Sequence, residues 1–185
     1  MSKPLKIRGR RREERGFTLT EVLVSTVILL VGLVGVAQLV PVSIRLNSAN
    51  RYDSTALAVA QREMNYMLTQ PLTNSTFQDP QGVMCPAGNI CNLGNAAQPN
   101  QVVGSPVITP NNRPLIDFSA GQVAGYSFNY ADPNDPGGKS YDIRWAVVTF
   151  VGAGNTTGRR LIVGTLPRGG NGPFLAITLD SMVQK

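Results

Sequence analysis

Residues Phe17–Val40 read FTLTEVLVSTVILLVGLVGVAQLV, and Glu21 is the only charged residue among them. As a helix, these 24 residues at about 1.5 Å each span about 36 Å, enough to cross a hydrocarbon core of about 30 Å. From Val27 to Ala37 every residue is apolar or glycine, so no polar stripe divides the helix into two faces. A surface amphipathic helix would need such a stripe. The stretch therefore reads as a membrane segment, with the core helix of a globular domain as the competing reading.

The residues before it set the orientation. The chain of 185 residues has 17 Lys and Arg against 11 Asp and Glu, a net charge of +6, but the excess is local. Residues 1–16 hold Lys3, Lys6, Arg8, Arg10, Arg11, Arg12 and Arg15 against only Glu13 and Glu14. Residues 17–185 hold ten cations and nine anions and are nearly neutral. A basic run leading into a membrane helix stays on the cytoplasmic side. Residues 1–16 are thus expected in the cytoplasm, and everything after Val40 beyond the membrane. A secretory signal peptide shares this charge pattern, but its apolar region is shorter, about 7–15 residues, and ends at an A-x-A-like site. Here the run is longer and Pro41-Val42-Ser43 follows it.

Two positions do not suit a plain anchor. Gly16 sits at the border between the basic and apolar runs. Glu21 lies four residues inside the apolar run, where an unpaired carboxylate costs about 2.5–3.5 kcal/mol. Either Glu21 stays near the interface, or it finds a cation after assembly. Periodicity leaves both open.

The run Arg15-Gly16-Phe17-Thr18-Leu19-Thr20-Glu21-Val22-Leu23-Val24 resembles the class III signal of type IV prepilins and pseudopilins. The family pattern is a short basic leader, Gly, Phe, three mostly apolar or hydroxyl residues, then Glu. Thr20 departs mildly, since that place usually holds Leu, Ile or Val. The resemblance implies cleavage by an inner-membrane prepilin peptidase between Gly16 and Phe17, and N-methylation of the new amino terminus at Phe17. It also implies that the Glu21 carboxylate pairs, in a filament, with the Phe17 amine of the neighbouring subunit. Val27–Gly35 followed by Ala37-Gln38-Leu39 resembles the PilV group of minor pilins, and Gly32 and Gly35 suit close helix packing. The implied partners are the peptidase, other major and minor pilin subunits, an inner-membrane assembly platform and the lipid bilayer. The implied place is the bacterial inner membrane, then the pilus at the cell surface. The implied role is a low-abundance structural subunit that helps prime the pilus, and so serves motility, adhesion or DNA uptake. A minor pseudopilin of a type II secretion system shares every N-terminal feature. A single-pass membrane protein with a ligand-binding head is a third reading.

Beyond the anchor, Pro41 removes one helix hydrogen bond and is expected to kink the helix. Residues 41–70 read as an amphipathic helix. Tyr52, Ala56, Val59, Ala60, Met64, Met67 and Leu68 recur at three- and four-residue steps, and Pro71 stops the pattern. Residues 71–122 look irregular, rich in Asn, Gly, Pro and Gln. They contain Cys85 and Cys91, which topology places in an oxidising space, so a disulfide that staples a small loop is expected. Residues 123–185 read as an antiparallel sheet, with strand candidates at Val123–Tyr130, Tyr141–Val151, Arg159–Leu166 and Phe174–Met182. Tyr141, Ile143, Trp145 and Val147 alternate onto one face, with Asp142 and Arg144 on the other. The fold class is α+β and pilin-like, a long N-terminal helix packed on a C-terminal antiparallel sheet.

Other chemistry finds little support. With no His, the His-based triads and zinc sites are excluded, and two Cys cannot complete a four-ligand metal site. No cofactor or metal is expected, and no nucleophile is paired with a base, so an enzyme is not expected. Gly152–Gly158 lacks the Lys-Ser/Thr and following helix of a phosphate loop and reads as a hairpin loop. Asp132–Lys139 lacks the spacing of a calcium loop and reads as a turn. Arg159, Arg160 and Arg168 suggest a small basic patch, but the near-neutral body gives nucleic acid little pull, and it is not expected as a partner.

Overall fold

The computed structural model describes residues 16–133, 140–169 and 174–184. The basic run at residues 1–15 lies outside them. The first element is helix α1, Leu19–Thr69, which contains Pro41. The chain divides into two compact units, Met1–Arg45 and Leu46–Lys185, and α1 contributes to both. In the first unit the described residues are exposed throughout. In the second, α1 buries Ala56, Val59, Ala60, Glu63, Met64 and Met67. Their three- and four-residue spacing places them on one side of the helix. Pro71 has no N–H to extend the ladder, and the helix ends just before it.

Five very short strands follow. They are β1 (Thr76–Phe77), β2 (Cys91–Asn92), β3 (Val102–Gly104), β4 (Val107–Ile108) and β5 (Leu115–Ile116). β1 pairs with β2 and β4 with β5, each antiparallel. The segment that reads as irregular is therefore ordered by backbone pairing. Strands of two or three residues are too short to display a period of two.

The main sheet is built on β6 (Ser127–Ala131), β7 (Ser140–Gly152), β8 (Asn155–Arg168) and β9 (Ile177–Gln184), with β3 as its fifth strand. All its pairings are antiparallel. β7 pairs with β8 over its length, while β6 and β3 pair in succession with its Ser140–Arg144 and Ala146–Val148 parts. β9 pairs with β8. The strands differ from the sequence expectation at their ends. β7 and β8 extend until Gly152 faces Asn155, so only Ala153 and Gly154 form the turn. Both have positive φ, 49° and 83°, as a two-residue turn between twisted strands requires. The rest of the Gly152–Gly158 stretch that reads as loop is strand. β6 and β9 begin later than expected, at Ser127 and Ile177.

One face of the sheet meets α1. Tyr141, Ile143, Trp145 and Val147 of β7 join Leu161 and Val163 of β8 in one cluster with Ala56, Val59, Met64 and Met67. Trp145 is fully buried at its centre, 6.1–6.3 Å from the rings of Phe128, Tyr126 and Phe77, and its indole N–H donates to the Asn92 carbonyl at 2.8 Å. The other face is also covered. Ala146 and Ile162 pack beneath Ile116, with Val107 and Phe118 at the edge. Gly164 allows that approach, because a Cβ there would come within 2.7 Å of Ile116 Cβ. The long helix on a C-terminal antiparallel sheet is the α+β, pilin-like architecture expected from the sequence.

Candidate functional site

The Gly16–Phe17 bond lies in non-helical backbone just before α1. Both residues are exposed, Phe17 to 81 %, and a Cβ built on Gly16 would meet nothing within 4 Å. Among the described residues, nothing crowds Gly16. Thr18 then caps the helix. Its carbonyl accepts the N–H of Glu21 at 3.0 Å and of Val22 at 3.2 Å, and its Oγ1 lies 3.3 Å from the Glu21 N–H. Glu21 reaches back, its Oε2 3.5 Å from the Thr18 N–H and 3.4 Å from Thr18 Oγ1. This is the reciprocal Thr-x-x-Glu arrangement of a capping box, in which the carboxylate also faces the positive end of the helix dipole. The side-chain contacts are long, so the carboxylate is held loosely and stays exposed. The Thr18-to-Glu21 spacing is the sequence signal for this cap.

The helix continues from Glu21 as an apolar surface. It is long and apolar enough to cross a membrane, and its most apolar stretch is nowhere buried against the rest of the described chain. Val22–Leu30 and the residues beyond present large side chains to the outside, such as Ile28 at 67 % and Val31 at 70 %. Thr26 can enter an apolar phase at little cost, since its hydroxyl donates to the carbonyls of Val22 (2.9 Å) and Leu23 (2.8 Å). An apolar helix with no covering protein needs another apolar environment, which suits membrane anchoring. Gly32 and Gly35 have no neighbour that a Cβ would meet.

In the second unit, Cys85 and Cys91 form a disulfide with a Cα–Cα distance of 6.1 Å, and both are buried in the main core. The loop before it is organised by Asp79. Its carboxylate accepts the N–H groups of Gln81 (3.0 Å), Val83 (2.7 Å) and Met84 (2.6 Å). Burial alone would raise its pKa, but these donors outweigh it and hold the carboxyl below its ordinary range.

Besides Asp79, four more charged residues are buried among the described residues, and the sequence does not announce them. Glu63 is fully buried on α1, 3.3 Å from the Arg62 guanidinium, which sits 4.4 Å over the Tyr130 ring. Asp142 and Arg144 are buried together on the second face of the sheet, 2.9 Å apart. Asp142 also receives Arg168 at 2.6 Å and Gln122 at 2.9 Å. Its burial works to raise the pKa, but the bonds from Arg144, Arg168 and Gln122 prevail and lower it. Arg159, the fourth, is 2 % exposed. The basic patch suggested by Arg159, Arg160 and Arg168 is therefore dispersed. Arg159 is interior, Arg160 pairs with Asp180 at 2.6 Å, and Arg168 pairs with Asp142.

A family model described as the prokaryotic N-terminal methylation motif matches residues 11–37. No curated protein and no solved structure matches the chain. The matched residues take in the Gly16–Phe17 bond, the Thr18–Glu21 cap and most of the apolar run. The N-terminus is similar throughout that length to a prepilin-type class III signal, which supports a type IV pilin- or pseudopilin-like precursor.

Proposed function

We propose that this chain is a structural minor subunit of a type IV pilus, of the PilV type. Prepilin peptidase removes residues 1–16 by cutting between Gly16 and Phe17 and methylates the Phe17 amine. The apolar part of α1 holds the subunit in the bacterial inner membrane, with its N-terminus cytoplasmic and the Leu46–Lys185 unit on the periplasmic side. It then passes, through an inner-membrane assembly platform, into a filament with other pilin subunits. Glu21 is the register device. In the membrane its carboxylate has only loose local partners, so a neighbour's Phe17 ammonium replaces weak hydrogen bonds with a charge-assisted pair.

The observation that carries this reading is the methylation motif over residues 11–37 running directly into a membrane-length apolar helix with no covering protein. The stated role of Glu21 predicts a separation of two steps. Glu21→Ala leaves membrane insertion and processing intact but excludes the subunit from sheared filaments. Glu21→Ala subunits found in filaments at wild-type abundance would sink the assigned role.

A further inference from the structure

Arg159 stands on β8, paired across the sheet with Thr149 of β7 and Val183 of β9. Its Nη2 donates to the carbonyls of Leu72 (3.3 Å) and Asn74 (2.5 Å), in the turn that follows α1. Its Nε and Nη1 are buried and have no hydrogen-bond partner. Among the described residues no carboxylate forms an ion pair with it. Arg159 lines a cavity of about 30 Å³ together with Asn74, Leu93, Gly94, Thr149 and Thr156. Gly94 lets the backbone press closely against β7 here: its φ is +100°, and a Cβ there would lie 2.5 Å from Thr149 Oγ1 and 2.8 Å from Val147 Cγ1. The cavity shares Leu72, Thr73, Ala96 and Thr156 with a wider groove of about 900 Å³, which supplies a way in.

A buried cation with two unused donors and no counter-charge is expensive. Water in the cavity would satisfy the N–H groups but leave the charge uncompensated. The space is about that of one or two water-sized particles, a size that suits a monatomic anion. We propose that Arg159 and its cavity form a binding site for one small monovalent anion of chloride size. The bound anion compensates the guanidinium and so fixes the Leu72–Asn74 turn against the sheet. The site is independent of the filament role.

The test is thermal unfolding of the full chain in detergent micelles, followed by the emission of Trp145, with chloride replaced stepwise by gluconate at constant ionic strength. The wild type gains about 5 °C on going to saturating chloride, with a saturable dependence. Arg159→Gln loses that chloride-specific gain. Should Arg159→Gln fail to fold, wild-type crystals grown with bromide decide the matter: an anomalous peak within hydrogen-bond distance of Arg159 Nε supports the site. The same chloride response in wild type and Arg159→Gln, or bromide crystals with no anomalous peak in the cavity, overturns it.

Discussion

Glu63 makes the stability of the second unit depend on pH in an unusual direction. It is fully buried on α1, and desolvation raises its carboxyl pKa from 4.5 to about 8 against the pull of Arg62. Oε1 has Arg62 at 3.3 Å, while Oε2 is buried with no partner, so the ionised form is poorly served. Asp79, held as an anion by its backbone donors, adds a smaller upward push. The folded pKa lies above the unfolded one, so the folded state holds the extra proton between about 4.5 and 8. The stabilisation is complete below the lower value and is lost as pH rises through the upper one. At about 1.4 kcal/mol per pH unit, the loss between pH 5 and pH 9 is of order 4 kcal/mol. Glu63→Gln keeps the shape and removes the charge. It should be close to wild type at pH 5 and about 4 kcal/mol more stable at pH 9. Trp145 is the chain's one tryptophan and is fully buried in the same core, so urea unfolding of the full chain in micelles reads directly in its emission. Parallel pH profiles for wild type and Glu63→Gln would refute the reasoning, as would wild-type stability that rises across this window.

Further substitutions separate the other contributions. Trp145→Ala opens the centre of the core and frees the Asn92 carbonyl, so circular dichroism should report a loss of about 3–5 kcal/mol. Asp142→Ala strands the buried Arg144 and should cost about 3–5 kcal/mol, whereas Arg168→Ala, at a half-exposed partner, should cost under about 1 kcal/mol in the same urea titration. Reducing the Cys85–Cys91 bond, or Cys85→Ser with Cys91→Ser, should lower stability by about 2 kcal/mol, as expected for a small loop.

The long helix and the α1-facing side of the sheet were legible in the sequence because both depend on long periodic signals. Tyr52 to Leu68 keep helical spacing over several turns, and Tyr141 to Val147 keep strict alternation. The Gly16–Phe17 border and Glu21 stood out because a charge and a glycine interrupt otherwise uniform runs. What stayed hidden was set by distant contacts. β1 to β5 are two or three residues long and exist through partners elsewhere in the chain. Asp142 and Arg144 read as an ordinary outward pair, because alternation says which face a residue takes and not whether a loop covers that face. The cover comes from Ile116 and Phe118, more than twenty residues away. Glu63 sits beside Met64 on the buried arc of α1, but its charge argued against burial and kept it out of the apolar stripe. Arg159 looked like one of three surface cations because nothing local shows that the turn after α1 folds over it.

The claim beneath the functional proposal is that the chain is cut and modified at the start of its apolar helix. Intact-mass and N-terminal peptide measurements on the membrane fraction of cells with active prepilin peptidase address this directly. The expected species begins at Phe17, carries one methyl group on its amine, and lacks residues 1–16. A membrane-bound population that still begins at Met1 under those conditions would contradict the claim.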